Sequence, residues 1–152
     1  MKVFVTVGTG SFDQLITEVD KCLNTPDFDV LCQIGAGSVI PHQPHYTLSD
    51  NYKADFDNAD VVVTHAGAAT VFELLESQKK VLVVPNQFRI DKHQADLAQY
   101  VEQQNYAGVC WHLADLKTKL IEVFQTDYRS YQIESFFKAA ELLEYLGLAD
   151  ER

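Results

Sequence analysis

The stretch HAGAATVFE, residues 65–73, follows a short β-branched run, and the chemistry it offers is anion binding. Gly67, Ala68, Ala69 and Thr70 are small and stand where a helix opens. The first N–H groups of a helix have no internal acceptor, so they point at whatever occupies that end. Small side chains there permit close approach by a diphosphate. Glu73 lies inside the same helix, off the apolar stripe of Val71, Leu74 and Leu75. A carboxylate can accept two hydrogen bonds from a cis-diol, although a solvated surface role is the default for a single glutamate. For His65, closing the strand, the commoner fate is a core ring bonded to backbone. A His93-Gln94 pair at the start of a later helix is ordinarily polar surface. A second glycine turn, Gly8-Thr9-Gly10-Ser11, follows a valine-rich strand at once. Taken alone it fits plain turn chemistry as well as a phosphate contact. It is not a dinucleotide fingerprint, because the third glycine of that pattern falls at Asp13.

These residues need a scaffold, and the chain supplies alternating strands and helices. Strands are expected over residues 2–7, 30–34, 61–64, 81–84 and 107–111, with an extended piece at 46–50. Short runs rich in valine suit strands buried on both faces of a parallel sheet. Ser11 or Asp13 can cap a first helix whose apolar face is Leu15, Ile16, Val19, Cys22 and Leu23. Residues 51–60 carry Tyr52 and Phe56 in acidic surroundings. Lys79-Lys80 sit at the C-terminal end of the helix after Gly67, where cations suit the dipole. Pro85-Asn86 stops the fourth of these strands, and Asp91 can cap a helix carrying His93, Gln94, Leu97 and Ala98. A helix over 114–124 shows Leu116, Leu120, Ile121 and Phe124, and Tyr128-Arg129-Ser130 breaks it. Ile133, Phe136, Phe137, Ala140, Leu143 and Leu146 keep helical spacing to Gly147. That stripe, over 131–147, is wide enough to touch both its own domain and a partner. The fold class is therefore α/β, Rossmann-like, with a mostly parallel sheet and helices on both faces. In such a sheet the loops after the strands open at the carboxyl edge, where ligands bind.

HAGAATVFE, then VLVVPN, then DKHQADLA resembles the donor-binding half of glycosyltransferases related to MurG and to the small Alg13-type subunits. The start, VFVTVGTGSFDQLI, is similar to Alg13-type and bacterial PssE-type subunits. The resemblance covers residues 1 to about 112, in the same order and spacing. It implies one half of a GT-B architecture, the half that holds a UDP-sugar. It implies that Gly8, Thr9 and Gly10 contact the donor and that Glu73 binds the ribose hydroxyls. It places His65, Gly67, Ala68 and Thr70 at the same site. His93 and Gln94 would reach the phosphates and donor sugar, and Gly35 could approach the base. The implied reaction is sugar transfer from a UDP-sugar to a lipid-linked acceptor in polysaccharide assembly, without a cofactor. No convincing general base stands out, so the resemblance implies a membrane-associated partner of the Alg14 or PssD type that carries the acceptor site. A non-catalytic subunit that supports such a partner fits the same residues. A general nucleotide-binding module also fits. A sugar-nucleotide epimerase is disfavoured, because it needs both halves in one chain.

Composition sets outer bounds. With 152 residues the chain is expected to be one domain, large enough for a proper core, and the resemblance implies that this domain binds a nucleotide sugar. Its net charge of −10, with no basic run, argues against a nucleic-acid surface. It leaves an anionic small ligand open, because helix N–H groups hold phosphate without a basic surface. Cys22, Cys32 and Cys110 match no zinc spacing and read as reduced thiols of a cytosolic protein. His42 and His45 have no further metal ligand near them in sequence. Asp55-Phe56-Asp57 matches an Asp-x-Asp metal motif by letters alone and reads as surface, so no metal is expected. No segment reads as a signal peptide or membrane span, so the chain is expected in the cytoplasm, recruited to a membrane through its partner.

Overall fold

The computed structural model describes residues 1–88 and 93–132. Among them, six strands form one sheet: β1 (Lys2–Thr6), β2 (Asp29–Gln33), β3 (His45–Tyr46), β4 (Val61–His65), β5 (Val81–Val84) and β6 (Gly108–Val109). Five helices connect and cover them: α1 (Asp13–Leu23), α2 (Tyr52–Asn58), α3 (Ala68–Glu76), α4 (His93–Gln103) and α5 (Leu116–Gln125). A 3-10 turn at Leu113–Asp115 leads into α5. Every strand pair is parallel, in the order β3-β2-β1-β4-β5-β6. The order reverses between β1 and β4, which is where loops leave the sheet toward opposite faces and open a crevice.

The two faces follow from period-2 alternation. Val3 and Val5 of β1, Val61 and Val63 of β4, and Leu82 and Val84 of β5 face one core with α1 and α5. Phe4, Val62, Val81 and Val83 face the other with α2, α3 and α4. Leu15, Ile16, Val19 and Leu23 of α1 are all buried, as a helical stripe demands. On α5 the buried stripe is Leu116, Leu120 and Val123, while Phe124 is exposed. The expected stripe through Ile121 and Phe124 is thus rotated by about one position.

Several edges differ from the sequence expectation. The extended piece at 46–50 shrinks to the two-residue β3, and the last strand to Gly108–Val109. The cap predicted from Ser11 or Asp13 is not made: Phe12 occupies that position, and no side chain caps α1. Lys79 and Lys80 serve other helices than the one they follow. Lys79 Nζ donates to the Asp57 and Ala59 carbonyls at the end of α2, at 2.8 and 3.3 Å. Lys80 Nζ donates to the Phe124 carbonyl at the end of α5 at 2.6 Å. The dipole argument holds, but it is satisfied between helices. Residues 133–147 of the predicted C-terminal helix lie outside the described residues, as do Arg89, Asp91 and Lys92. Tyr131, at its expected start, packs against Phe72 and Tyr106 with ring centroids 5.5 and 5.3 Å away.

Candidate functional site: a cleft between two glycine loops

The first wall is built where β1 ends. Its last residue, Thr6, is buried, and its Oγ1 donates to Gln33 Oε1 at 2.9 Å. The same oxygen accepts the Gly8 N–H at 3.1 Å. That Gly8 amide is therefore already engaged by protein. Gly8 turns the chain at a φ of +64°, a conformation that favours glycine. A Cβ there would also stand 3.0 Å from the His65 ring, and one at Gly67 would stand 2.6 Å from His65 Nε2. His65 thus fills the space between the two loops, and glycine on each side makes room for it.

The loop after β2 braces the loop after β1. Gly35 has a φ of +56°, and the Ala36 N–H donates to the Gly10 carbonyl at 2.8 Å. This is a backbone-to-backbone seam, and it explains Gly35 without a nucleotide base. Asp13, freed from capping, accepts the Ser38 hydroxyl at 2.6 Å and the Ser38 N–H at 3.0 Å. The Ser38 hydroxyl leads in holding the Asp13 carboxyl below its ordinary range; burial works against it, and the backbone N–H groups of Val39 and Ser38 add to it.

The second wall is α3. Gly67 occupies its N-cap in extended backbone and offers no side-chain cap. Ala68, Ala69 and Thr70 follow, with no acidic residue in the first turn. The orphan N–H groups of that turn are left open to an anion. One turn on, Glu73 Oε1 meets Lys53 Nζ of α2 at 2.8 Å, and Tyr52 Oη approaches Oε2 at 3.5 Å. The third side comes from β5 and α4, where the Asn86 N–H donates to Gln94 Oε1 at 2.9 Å.

These walls enclose one cleft of about 580 Å³ at the β1–β4 switch point. The structure brings Gly8, Thr9, Gly10, His65, Gly67, Ala68, Thr70, Glu73 and Gln94 around it. His93, at the exposed first position of α4, is not among the lining residues. Sequence reasoning missed Thr6, Gln33, Tyr52, Phe56 and Asn86, which also line the cleft. For Thr6 and Gln33 the available signal was a polar residue closing each of two strands that are apolar in the middle. Among the described lining residues Glu73 is the one carboxylate, and none is a lysine or arginine. Attraction for an anion therefore rests on backbone N–H groups.

Other candidate chemistry disperses. His42 Nδ1 pairs with Asp20 at 2.7 Å, while His45 Nδ1 bonds the Gln43 carbonyl at 3.0 Å. Asp55 accepts the Tyr46 hydroxyl at 2.5 Å, Phe56 is buried and Asp57 is exposed. Asp57 thus lies at the surface, as expected of the Asp-x-Asp letters, while Asp55 is half-buried against Tyr46. Cys32 and Cys110 are buried free thiols, pushed up to about 12 and about 11 by burial first of all.

Residues 2–135 match the glycosyltransferase family 28 C-terminal domain. The human protein named UDP-N-acetylglucosamine transferase subunit ALG13 is 35% identical over 71% of this chain and 11% of its own length. A Streptococcus thermophilus relative is 39% identical over 69% of this chain and 31% of its own. Its name is UDP-N-acetylglucosamine–N-acetylmuramyl-(pentapeptide) pyrophosphoryl-undecaprenol N-acetylglucosamine transferase. The chain spans about a tenth of the length of the human and mouse ALG13 relatives. Among solved structures, an NMR structure of ALG13 superposes with a TM-score of 0.62 at 17% identity, covering 95% of this chain and 94% of that one. The glycotransferase of kitacinnamycin gives a TM-score of 0.65 at 19% identity, covering 83% of this chain and 35% of that one. Both show the same fold, in the second case as part of a longer chain. The switch-point cleft, the bare helix start and the match along nearly the whole described chain lead to one assignment: this chain belongs to the glycosyltransferase family 28 C-terminal domain family.

Proposed function

We propose that the chain is the donor-binding subunit of a two-component glycosyltransferase, that its donor is UDP-N-acetylglucosamine, and that its acceptor is linked to a lipid. The observation that carries this reading is the placement of Glu73 and Gln94 on one cleft, with the uncapped start of α3 also lining it. The donor choice is supported by the names of the ALG13 and Streptococcus thermophilus relatives, both N-acetylglucosamine transferases.

In this reading the diphosphate lies against the N–H groups of Thr9, Gly10 and the first turn of α3. Glu73 accepts the two ribose hydroxyls, and Gln94 meets hydroxyls of the sugar. Transfer builds positive charge on the sugar ring and negative charge on the departing diphosphate. Fixed helix N–H groups stabilise that leaving group in a metal-independent, cofactor-free reaction. The acceptor hydroxyl must lose a proton, and Glu73, tied to Lys53, is poorly suited to take it. A partner of the Alg14 or PssD type supplies that base, binds the acceptor and recruits the chain to the cytoplasmic face of a membrane. No helix among the described residues is long and apolar enough to cross a membrane. The assembly serves a polysaccharide route such as capsule or exopolysaccharide synthesis.

Calorimetric titration with UDP-N-acetylglucosamine, UDP-glucose, UDP-galactose, UDP-glucuronic acid, GDP-mannose and ADP tests the donor. The expected result is binding of UDP compounds, tightest for the N-acetylated sugar; binding of ADP as tightly as UDP would overturn it. The same lack of a free cleft carboxylate favours a second reading, a non-catalytic supporting subunit. With the partner present, that reading predicts unchanged turnover in Glu73→Ala.

A further inference from the structure

Gln33 ends β2 on the sheet face shared with Phe4 and Leu31, and it is only 6% exposed. A buried primary amide normally has its polar atoms satisfied, because an unpaired one is costly. Its Oε1 accepts the Thr6 hydroxyl at 2.9 Å. Thr6 is itself fixed, since its Oγ1 also takes the Gly8 N–H. With the Thr6 hydroxyl donating to Oε1, the amide stands with its oxygen toward Thr6 and Nε2 away from it. Nε2 has no protein acceptor among the described residues, and the side chain lines the cleft. The same cleft is walled there by two aromatic rings of α2, Tyr52 and Phe56, 5.3 Å apart between centroids.

A flat ring with a carbonyl oxygen fits such a place. The aromatic pair offers apolar contact area, and the oriented amide offers one N–H. From this we infer that Gln33 is a specificity-determining residue, donating its Nε2–H to a carbonyl oxygen of the pyrimidine base, and that Thr6 is the positioning residue that aims it. The inference rests on the reading of the cleft as a UDP-sugar site, with ribose at Glu73. It adds a side-chain contact to the base, which the resemblance did not assign to any residue. The bond discriminates because a base lacking an acceptor there leaves a buried donor unpaired.

The test compares ligands with and without the base. Isothermal titration measures UDP and ribose 5-diphosphate on the wild type, Gln33→Met, Thr6→Val and Thr6→Ser. Gln33→Met is expected to weaken UDP about three- to tenfold, the range for one neutral hydrogen bond, and to leave ribose 5-diphosphate unchanged. Thr6→Val should show the same base-selective loss, and Thr6→Ser, which keeps the hydroxyl, should restore it. On the wild type, 2-thio-UDP and 4-thio-UDP separate the two carbonyls: sulfur accepts poorly, so one analogue should lose a similar factor. Equal loss of UDP and ribose 5-diphosphate would overturn the inference, because Gln33 would then serve the phosphates or the fold. So would full affinity for both thio analogues. If the wild type binds no UDP at all, the proposed function itself fails, which is a separate outcome.

Discussion

Replacing Gly35 by alanine tests whether the site is held by the seam between two loops. A Cβ at this position would lie 2.2 Å from the Gly10 carbonyl oxygen and 2.6 Å from that of Gly8. Both are backbone atoms, so neither can swing aside as a side chain would. The +56° φ adds about 1–2 kcal/mol of left-handed strain for a residue with a Cβ. Forcing the extra carbon into a filled space adds about 1–3 kcal/mol. Parting the loops also breaks the Ala36 N–H to Gly10 bond, worth about 1 kcal/mol. Against this, alanine reduces unfolded-state entropy by up to about 1 kcal/mol. The net loss is about 2–5 kcal/mol, a large part of a stability of about 5–15. For a domain of this size that lowers Tm by about 4–20 °C, at about 2–4 °C per kcal/mol. Urea unfolding followed by circular dichroism gives the free energy directly. The Gly8–Gly10 segment must shift to admit the methyl group, so UDP affinity should fall as well, read by calorimetry below the melting transition. A stability loss under about 1 kcal/mol with normal UDP binding would mean that the two loops are loosely apposed and that no such seam holds the site.

Other outcomes follow from single contacts. Glu73→Ala is expected to weaken UDP about thirtyfold, about 2 kcal/mol for two partly exposed charge-assisted hydrogen bonds, while 2′,3′-dideoxy-UDP binds the variant and the wild type alike in calorimetry. Folding stability in urea should change by less than about 1 kcal/mol in that variant, since its ion pair with Lys53 is at the surface. Lys80→Met removes the ammonium from the Phe124 carbonyl and should cost about 1 kcal/mol in the same assay. The His42 imidazole is held above its ordinary value, first by its hydrogen bond to Asp20 and then by the Asp20 charge. Its stabilising effect is therefore complete below the ordinary histidine range and fades as pH rises through the raised value. Proton NMR titration should show that raised midpoint, and Asp20→Asn should return it to the ordinary range.

The layout of the sheet was legible because parallel strands buried on both faces leave a plain trace. VFVTV, VVVT and VLVV are continuous apolar runs, and each is followed by a glycine or proline turn. Helix faces were legible wherever the stripe was wide, as on α1, and misjudged on α5. There Val123 and Phe124 are adjacent apolar residues, and spacing alone does not say which turns inward. The carbonyls that the two lysines after α3 reach were not legible, because sequence proximity says nothing of helix ends approaching from elsewhere. In the cleft, HAGAAT and Glu73 stood out by type and order. Gln33 and Thr6 did not, because their role depends on β1 and β2 lying side by side, 27 residues apart in sequence. The purpose of Gly35 was equally hidden: its tight neighbours are Gly8 and Gly10, and only the fold brings them there.

On the proposed function, the rim built by the loop after β1, the start of α3 and the start of α4 grips a uridine diphosphate. Titrating UDP into the isotope-labelled chain and following backbone amide shifts by NMR tests it most directly, because weak binding is still seen. The largest shifts are expected on Thr9, Gly10, Ala68, Ala69, Thr70 and Glu73, with smaller ones at Gln33 and Gln94. Shifts centred on the opposite, amino edge of the sheet, or none at millimolar UDP, would contradict it.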